Sequence, residues 1–244
     1  MADNGVRIAM WSGPRNISTA LLRSWENRPD TVVVDEPFYA YYLARTGTDH
    51  PGRDEVIAAG ETDWRRVVAT LTAPLPDGVA ISYQKHMAHH LLPEIERDWL
   101  AGLLCAFLIR DPAEMLVSLA HVLPSPGVAD TGLPQQVEIF DLLVAGHATP
   151  PVVDARDVLE SPQAMLRLLC EHLGVPFDDR MLSWPAGPRD TDGVWARWWY
   201  DAVTASTGFT PYRPAQEAVP GHLQPVLEQC RPYYERLYNS RITR

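Results

Sequence analysis

The chain has 244 residues, 46% of them hydrophobic and 21% charged, with a formal net charge of −10. That length accommodates one large α/β domain over residues 1–244, with a core that needs neither disulfide nor metal staple. The acidic balance argues against nucleic acid or an anionic membrane surface as a partner, but leaves room for a local basic pocket.

The opening MADNGVRIAM lacks the basic-then-apolar order of a signal peptide, and nowhere does an apolar run approach the ~20 residues of a bilayer span. VRIAM reads as a first strand, followed by a polar turn and by ISTALLRSWEN at helical spacing. Thr31 to Asp35 (TVVVD) is a β-branched run expected to be a buried strand. Thr62 to Thr72 predicts a helix with Thr62 as its N-cap. VAISYQ is a third strand, and Leu103 to Arg110 (LLCAFLIR) a fourth. Pro112 stands where a helix accepts its first residue. Pro124, Pro126, Gly127 and Gly132 mark a loop at 124–132 that could act as a lid. Residues 133–147 predict a helix, Pro151 to Ala155 a short strand, and 162–173 a helix ended by Gly174. The aromatic run VWARWWY precedes a last helix over Leu223 to Tyr238. Cys105, Cys170 and Cys230 lie far apart in apolar segments and read as reduced core thiols, so the expected compartment is the cytoplasm. About five short strands alternating with helices imply an α/β three-layer sandwich. Its central sheet is mainly parallel and flanked by helices, with ligands beyond the strands' carboxyl ends.

Two segments carry anion chemistry. WSGPRNISTALLRS runs from the end of the first strand into a helix start, where unpaired N–H groups and the helix dipole attract negative charge. A phosphate docked on Asn16, Ile17, Ser18 and Thr19 would satisfy those donors, with Arg15 supplying charge; a plain capping turn is the alternative. The G-x-x-x-x-G-K-[ST] pattern fails for want of its lysine in either register, which argues against ATP hydrolysis. FLIRDPAEMLVSL ends a strand with Arg110 and sets Ser118 eight residues on, where a guanidinium fork and a hydroxyl could grip one phosphate.

Pro14-Arg15-Asn16-Ile17-Ser18-Thr19-Ala20-Leu21 resembles the 5′-phosphosulfate loop of sulfotransferases that use 3′-phosphoadenosine 5′-phosphosulfate (PAPS), with Ile17 where the family usually has glycine. Arg110 and Ser118 hold the spacing of that family's 3′-phosphate motif. DARDVLESPQAMLRLLCEHLGVPFDDRML and PVLEQCRPYYERLY resemble further family segments. The family's C-terminal Arg-Lys-Gly loop is missing, and Arg189 or Arg197 are the candidate replacements. The resemblance implies a P-loop NTPase-like sulfotransferase fold, PAPS as donor and PAP as product, and no metal. It also implies a small-molecule acceptor sulfated on a hydroxyl or amine, with a homodimer left open. The alternatives are another P-loop-fold phosphotransferase or phosphatase, and a non-catalytic nucleotide-binding module.

QKHMAHHLLP, placed after the third strand, resembles the family's Lys-Thr-His-Leu-Pro segment and puts His86 on the catalytic histidine. Gln84 falls on the family's lysine and Lys85 one residue on, where it could stabilise the transferred group. His86 has the proton affinity of a neutral-pH base; Glu36, at the end of the second strand, is the other candidate. His86, His89 and His90 fall short of the three or four well-supported ligands zinc wants. Trp195 and Trp199, at i and i+4, fit core packing better than a pocket wall.

Overall fold

The computed structural model describes residues 5–123 and 125–243. Val6–Ser12 (β1) leads into Ser18–Glu26 (α1), then Thr31–Asp35 (β2), Tyr39–Thr46 (α2), Arg53–Ala59 (α3) and Trp64–Thr72 (α4). Ile81–Met87 (β3), Leu104–Ile109 (β4) and Pro112–Ala120 (α5) follow, then Leu133–Ala145 (α6), Val152–Asp154 (β5), Ala155–Glu160 (α7) and Pro162–His172 (α8). Two short helical turns, Ala196–Trp199 (α9) and Asp201–Thr204 (α10), precede the closing helix Gln224–Tyr238 (α11). The helix at Trp64 is capped by Asp63, whose carboxylate accepts from the Arg65 N–H, rather than by Thr62.

All five strands are parallel, in the order β2-β3-β1-β4-β5. Side chains alternate across the central strand. Ile8 and Met10 join Leu21, Leu22, Trp25, Tyr83, Leu166 and Leu169 on one face, under α1 and α8. Ala9 and Trp11 join Trp64, Phe107, Ile109, Ile139 and Leu237 on the other, under α4, α6 and α11. Each large apolar side chain so buried contributes about 1.5–3 kcal/mol, so both faces are strongly specified. The result is a helix–sheet–helix sandwich.

Strands β3 and β2 lie to one side of β1, and β4 and β5 to the other, so a crevice opens beyond the carboxyl end of β1. The register sets Ser12 opposite Met87 and Asp35 opposite Lys85, bringing three strand ends level at that crevice. Strand β3 runs three residues past the expected end, so Lys85 and His86 belong to the strand. The three cysteines are free and buried. Of the Pro/Gly-rich stretch at 124–132, Pro124 lies outside the described residues; Val128–Thr131 forms a 3-10 turn with Thr131 fully buried. Among the described residues no helix is long and apolar enough to cross a membrane.

Candidate active site

The loop leaving β1 delivers the first half of the site. Arg15 has a φ of 56°, a left-handed conformation unusual for a residue with a side chain. Asn16 ties the loop to the sheet by donating to the Leu108 carbonyl at 3.1 Å. Ile17 has an ordinary φ of −77° and packs on the α1 side of the sheet, so glycine is not required there. No side chain caps α1 at Ile17. The start of α1 lines a cavity together with Arg15, Asn16, Ile17, Ser18 and Thr19, where the first N–H groups of a helix lack intrahelical partners.

The second half comes from the end of β4. Arg110 donates through Nη1 to the Arg15 carbonyl at 2.7 Å, and its Nε meets Glu114 at 3.2 Å. Ser118, one helical face along α5, accepts from Arg15 Nε at 3.0 Å. Arg15, Arg110 and Ser118 thus line one cavity although 95 and 103 residues separate Arg15 from the other two. Arg15 has no carboxylate partner among the described residues. Burial, with the nearby Arg110 charge adding to it, lowers its proton affinity below the ordinary arginine value. Two guanidinium groups held together without a neutralising carboxylate on Arg15 are what an anion site needs.

Across the cavity lies a buried charge network. Lys85 is 1% exposed and is the only lysine in the chain. Its Nζ meets Glu36 at 2.7 Å, Asp35 at 2.9 Å and the Tyr200 hydroxyl at 2.6 Å. Those three partners take all three ammonium hydrogens, so Lys85 has no donor left to offer a transferred group. Desolvation alone would lower the Lys85 pKa, but Asp35 and Glu36 outweigh it and hold the ammonium well above its usual value. Burial drives the Glu36 carboxyl above the ordinary carboxylate range, with Lys85 pulling down and Asp35 pushing up. Glu36 also sits at a φ of 41°. Tyr200 donates to Asp35 at 2.6 Å and accepts from the Trp195 ring nitrogen at 3.2 Å. The Arg23–Asp192 ion pair, at 2.7 Å with Arg23 fully buried, anchors the segment that brings Tyr200 to the sheet. Neither Tyr200 nor Asp35 figured in the sequence-based site. The only local signal was the polar Asp35-Glu36 pair ending an apolar strand.

His86 is not at the cavity. Strand alternation turns it to the opposite face from Lys85, where it is 1% exposed and stacks on Trp11 at 4.3 Å. Gln84 donates its amide to the Leu71 carbonyl, so its oxygen accepts the His86 Nε2 proton at 3.2 Å. The remaining lone pair, on Nδ1, is buried without a partner. Burial presses the His86 pKa to about 3. This histidine cannot collect a proton from a cavity ligand. The one-residue offset between Gln84 and Lys85 is decisive, because a step of one in a strand exchanges faces.

Neither candidate replacement for the missing C-terminal loop reaches the cavity. Arg189 lies by Glu26 at 3.7 Å and donates to the Pro185 carbonyl, and Arg197 pairs with Glu55. Trp199 and Tyr200 do line it, so the aromatic run serves the pocket as well as the core. Among the described residues no group of three His, Cys, Asp or Glu side chains could hold a metal.

One cavity of about 390 Å³ joins the basic loop, Arg110 and Ser118 to Glu36 and Lys85. Against this geometry, the sequence profile described as "Sulfotransferase domain" matches residues 6–241. The chain belongs to the sulfotransferase family. Its fold is shared with the sulfotransferase domain from the curacin biosynthetic pathway (TM-score 0.51, 15% identity, 92% of this chain and 97% of that one). It is shared too with a sulfotransferase from Alicyclobacillus acidocaldarius (TM-score 0.55, 14% identity, covering 98% and 97%). At those identities the likeness speaks of fold alone, here the P-loop-like sulfotransferase fold. Two Arabidopsis thaliana proteins named branched-chain-amino-acid aminotransferase-like proteins 2 and 1 align over 230 residues, at 36% and 37% identity. They cover 94% of this chain, which spans only 41% of their own length.

Proposed function

We propose that this sulfotransferase-family chain moves a sulfuryl group from PAPS to a hydroxyl or amine of a small-molecule acceptor, with Glu36 as general base. The observation that carries this reading is the convergence on one cavity of Arg15, Arg110 and the uncapped start of α1, opposite a buried carboxylate of raised proton affinity. Arg15, Asn16, Ile17, Ser18 and Thr19 would hold the 5′-phosphosulfate end through backbone N–H groups and charge, and Arg110 with Ser118 the 3′-phosphate. Bound PAPS supplies the electrophilic sulfur and a phosphate leaving group. The acceptor oxygen or nitrogen forms the new bond to sulfur, the bond from sulfur to the bridging phosphate oxygen breaks, and PAP departs.

Glu36 takes the acceptor's proton. Its raised pKa brings it nearer working pH than an exposed carboxylate would be, which suits a general base. Lys85 acts as a positioning residue. Its ammonium holds Glu36 at 2.7 Å and favours the ionised form that can accept a proton. Arg15 beside the phosphosulfate would offset charge developing on the leaving oxygen. The position of Glu36 on the cavity wall speaks against a non-catalytic nucleotide-binding module. The missing P-loop lysine speaks against a phosphotransferase.

Thermal shift with PAP, AMP and ATP tests the donor site, and PAP release from PAPS in the presence of acceptor tests the transfer. PAP should stabilise the protein most. An equal response to AMP, which lacks the 3′-phosphate, would refute the assignment.

A further inference from the structure

The donor half of the cavity is basic; the half facing it is acidic and aromatic. Asp49 and Asp130 both line it, and both sit close enough to His50 to favour its charged form, although burial outweighs them. Neither carboxylate has an ion-pair partner among the described residues. Lys85, which lines the cavity there, has committed all its hydrogens to Asp35, Glu36 and Tyr200, and nearby Arg53 pairs with Asp54.

That wall also carries aromatic rings and uncharged imidazoles: Tyr39, Tyr42, His89, His90 and Trp199. Tyr39 and Tyr42 each stack on His90, with centroids 4.8 and 4.7 Å apart, and Trp199 meets His50 edge-on at 5.9 Å. His90 is 2% exposed, lines the cavity, and its Nδ1 has no partner. Burial keeps His89 near 3 and His90 well below the usual imidazole value, so neither adds positive charge to offset the carboxylates.

Such a wall discriminates by charge. An anionic acceptor would meet two unneutralised carboxylates. An uncharged one would use the rings but gain nothing from the carboxylates. A cationic nitrogen satisfies both, because ring faces attract cations as carboxylates do. We infer that the acceptor is a small alcohol or phenol bearing a positively charged nitrogen, with the ammonium against Tyr39, Trp199 and Asp49 and the hydroxyl at Glu36. This inference rests on the sulfotransferase reading and sharpens it. An ammonium nitrogen has no lone pair with which to attack sulfur, so the hydroxyl oxygen forms the bond to sulfur and its proton passes to Glu36.

The test uses two matched pairs, choline against its uncharged carbon isostere neohexyl alcohol, and tyramine against ethylphenol. Each is titrated by calorimetry into the PAP-saturated protein and then offered as acceptor with PAPS. The charged member of at least one pair should bind and turn over about tenfold better than its neutral partner. Asp49→Asn, a near-isosteric change at an exposed side chain, should shrink that preference severalfold while PAP affinity is unchanged. Asp130→Asn, which keeps an acceptor for the Gly127 N–H, should do the same. If PAP binds normally and neither charged compound is preferred, the acceptor assignment falls alone. A charged preference that both variants leave intact also overturns it, since this wall would not be its source. If PAP does not bind, the sulfotransferase reading fails and takes the acceptor with it.

Discussion

Replacing Arg15 by alanine should separate ligand affinity from fold stability. In the free protein Arg15 lies beside Arg110 without a carboxylate partner of its own, and burial together with that neighbour lowers its proton affinity. What it contributes to the fold is one hydrogen bond to Ser118 at 3.0 Å, worth about 1 kcal/mol. Relief of the repulsion with Arg110 offsets that loss, so the unliganded variant should lie within about 1 kcal/mol of wild type. With a nucleotide bound, the same guanidinium becomes a charge-assisted donor worth about 1.5–3 kcal/mol, or roughly 10–150-fold in Kd. Take a ligand at about 100 times the wild-type Kd: the wild type gains about 2.7 kcal/mol, and a variant binding roughly thirtyfold more weakly gains about 0.9 kcal/mol. Urea melts with and without PAP, alongside calorimetry, read both quantities. Unchanged PAP affinity would refute the donor-site argument. A free variant destabilised by several kcal/mol would refute the claim that Arg15 is held for a ligand rather than for the fold.

Glu36→Gln should lower kcat by about 10²–10⁴-fold with PAP affinity nearly intact. Because the ionised carboxylate is the acceptor of the proton, wild-type kcat should fall as pH drops through the raised Glu36 pKa, which lies above 4.5; a profile flat through that range would contradict this role. His86→Phe should retain turnover, since the ring packs on Trp11 away from the cavity. His86 and His89 have folded-state pKa values near 3 against 6.5 in a free side chain. Unfolded chains therefore bind those protons first, and the stability these groups contribute is complete above pH 6.5 and lost as pH falls towards 3. Each such histidine adds about 1.4 kcal/mol per pH unit within that window, and His86→Phe should remove one share of the slope in urea melts. Tyr200→Phe should cost about 2–3 kcal/mol by leaving Asp35 and Lys85 each short of a partner, and should lower kcat with little change in PAP affinity.

The sequence by itself determined the strands and the positions of Arg15, Arg110 and Ser118 around one cavity, at the approaches to α1 and α5. TVVVD and LLCAFLIR announce strands because β-branched and apolar runs have few other homes; LLCAFLIR is largely buried as expected, whereas β2 lies at the sheet edge and is only half-buried, with Val32 exposed. Arg15 at a helix start, and Arg110 eight residues before Ser118, are legible because strand-end and helix-start chemistry is local. What it could not settle was parity. Two more polar residues at the end of an apolar strand do not reveal whether the strand continues, and a single step decides which face a side chain takes. That step puts Lys85 in the cavity and buries His86 on the other side. Tertiary structure alone also brought Tyr200 to the site, from 115 residues beyond Lys85 and 165 beyond Asp35. A buried ammonium is tolerable only when enough partners surround it, and packing of remote segments, rather than local pattern, decides where those partners arrive.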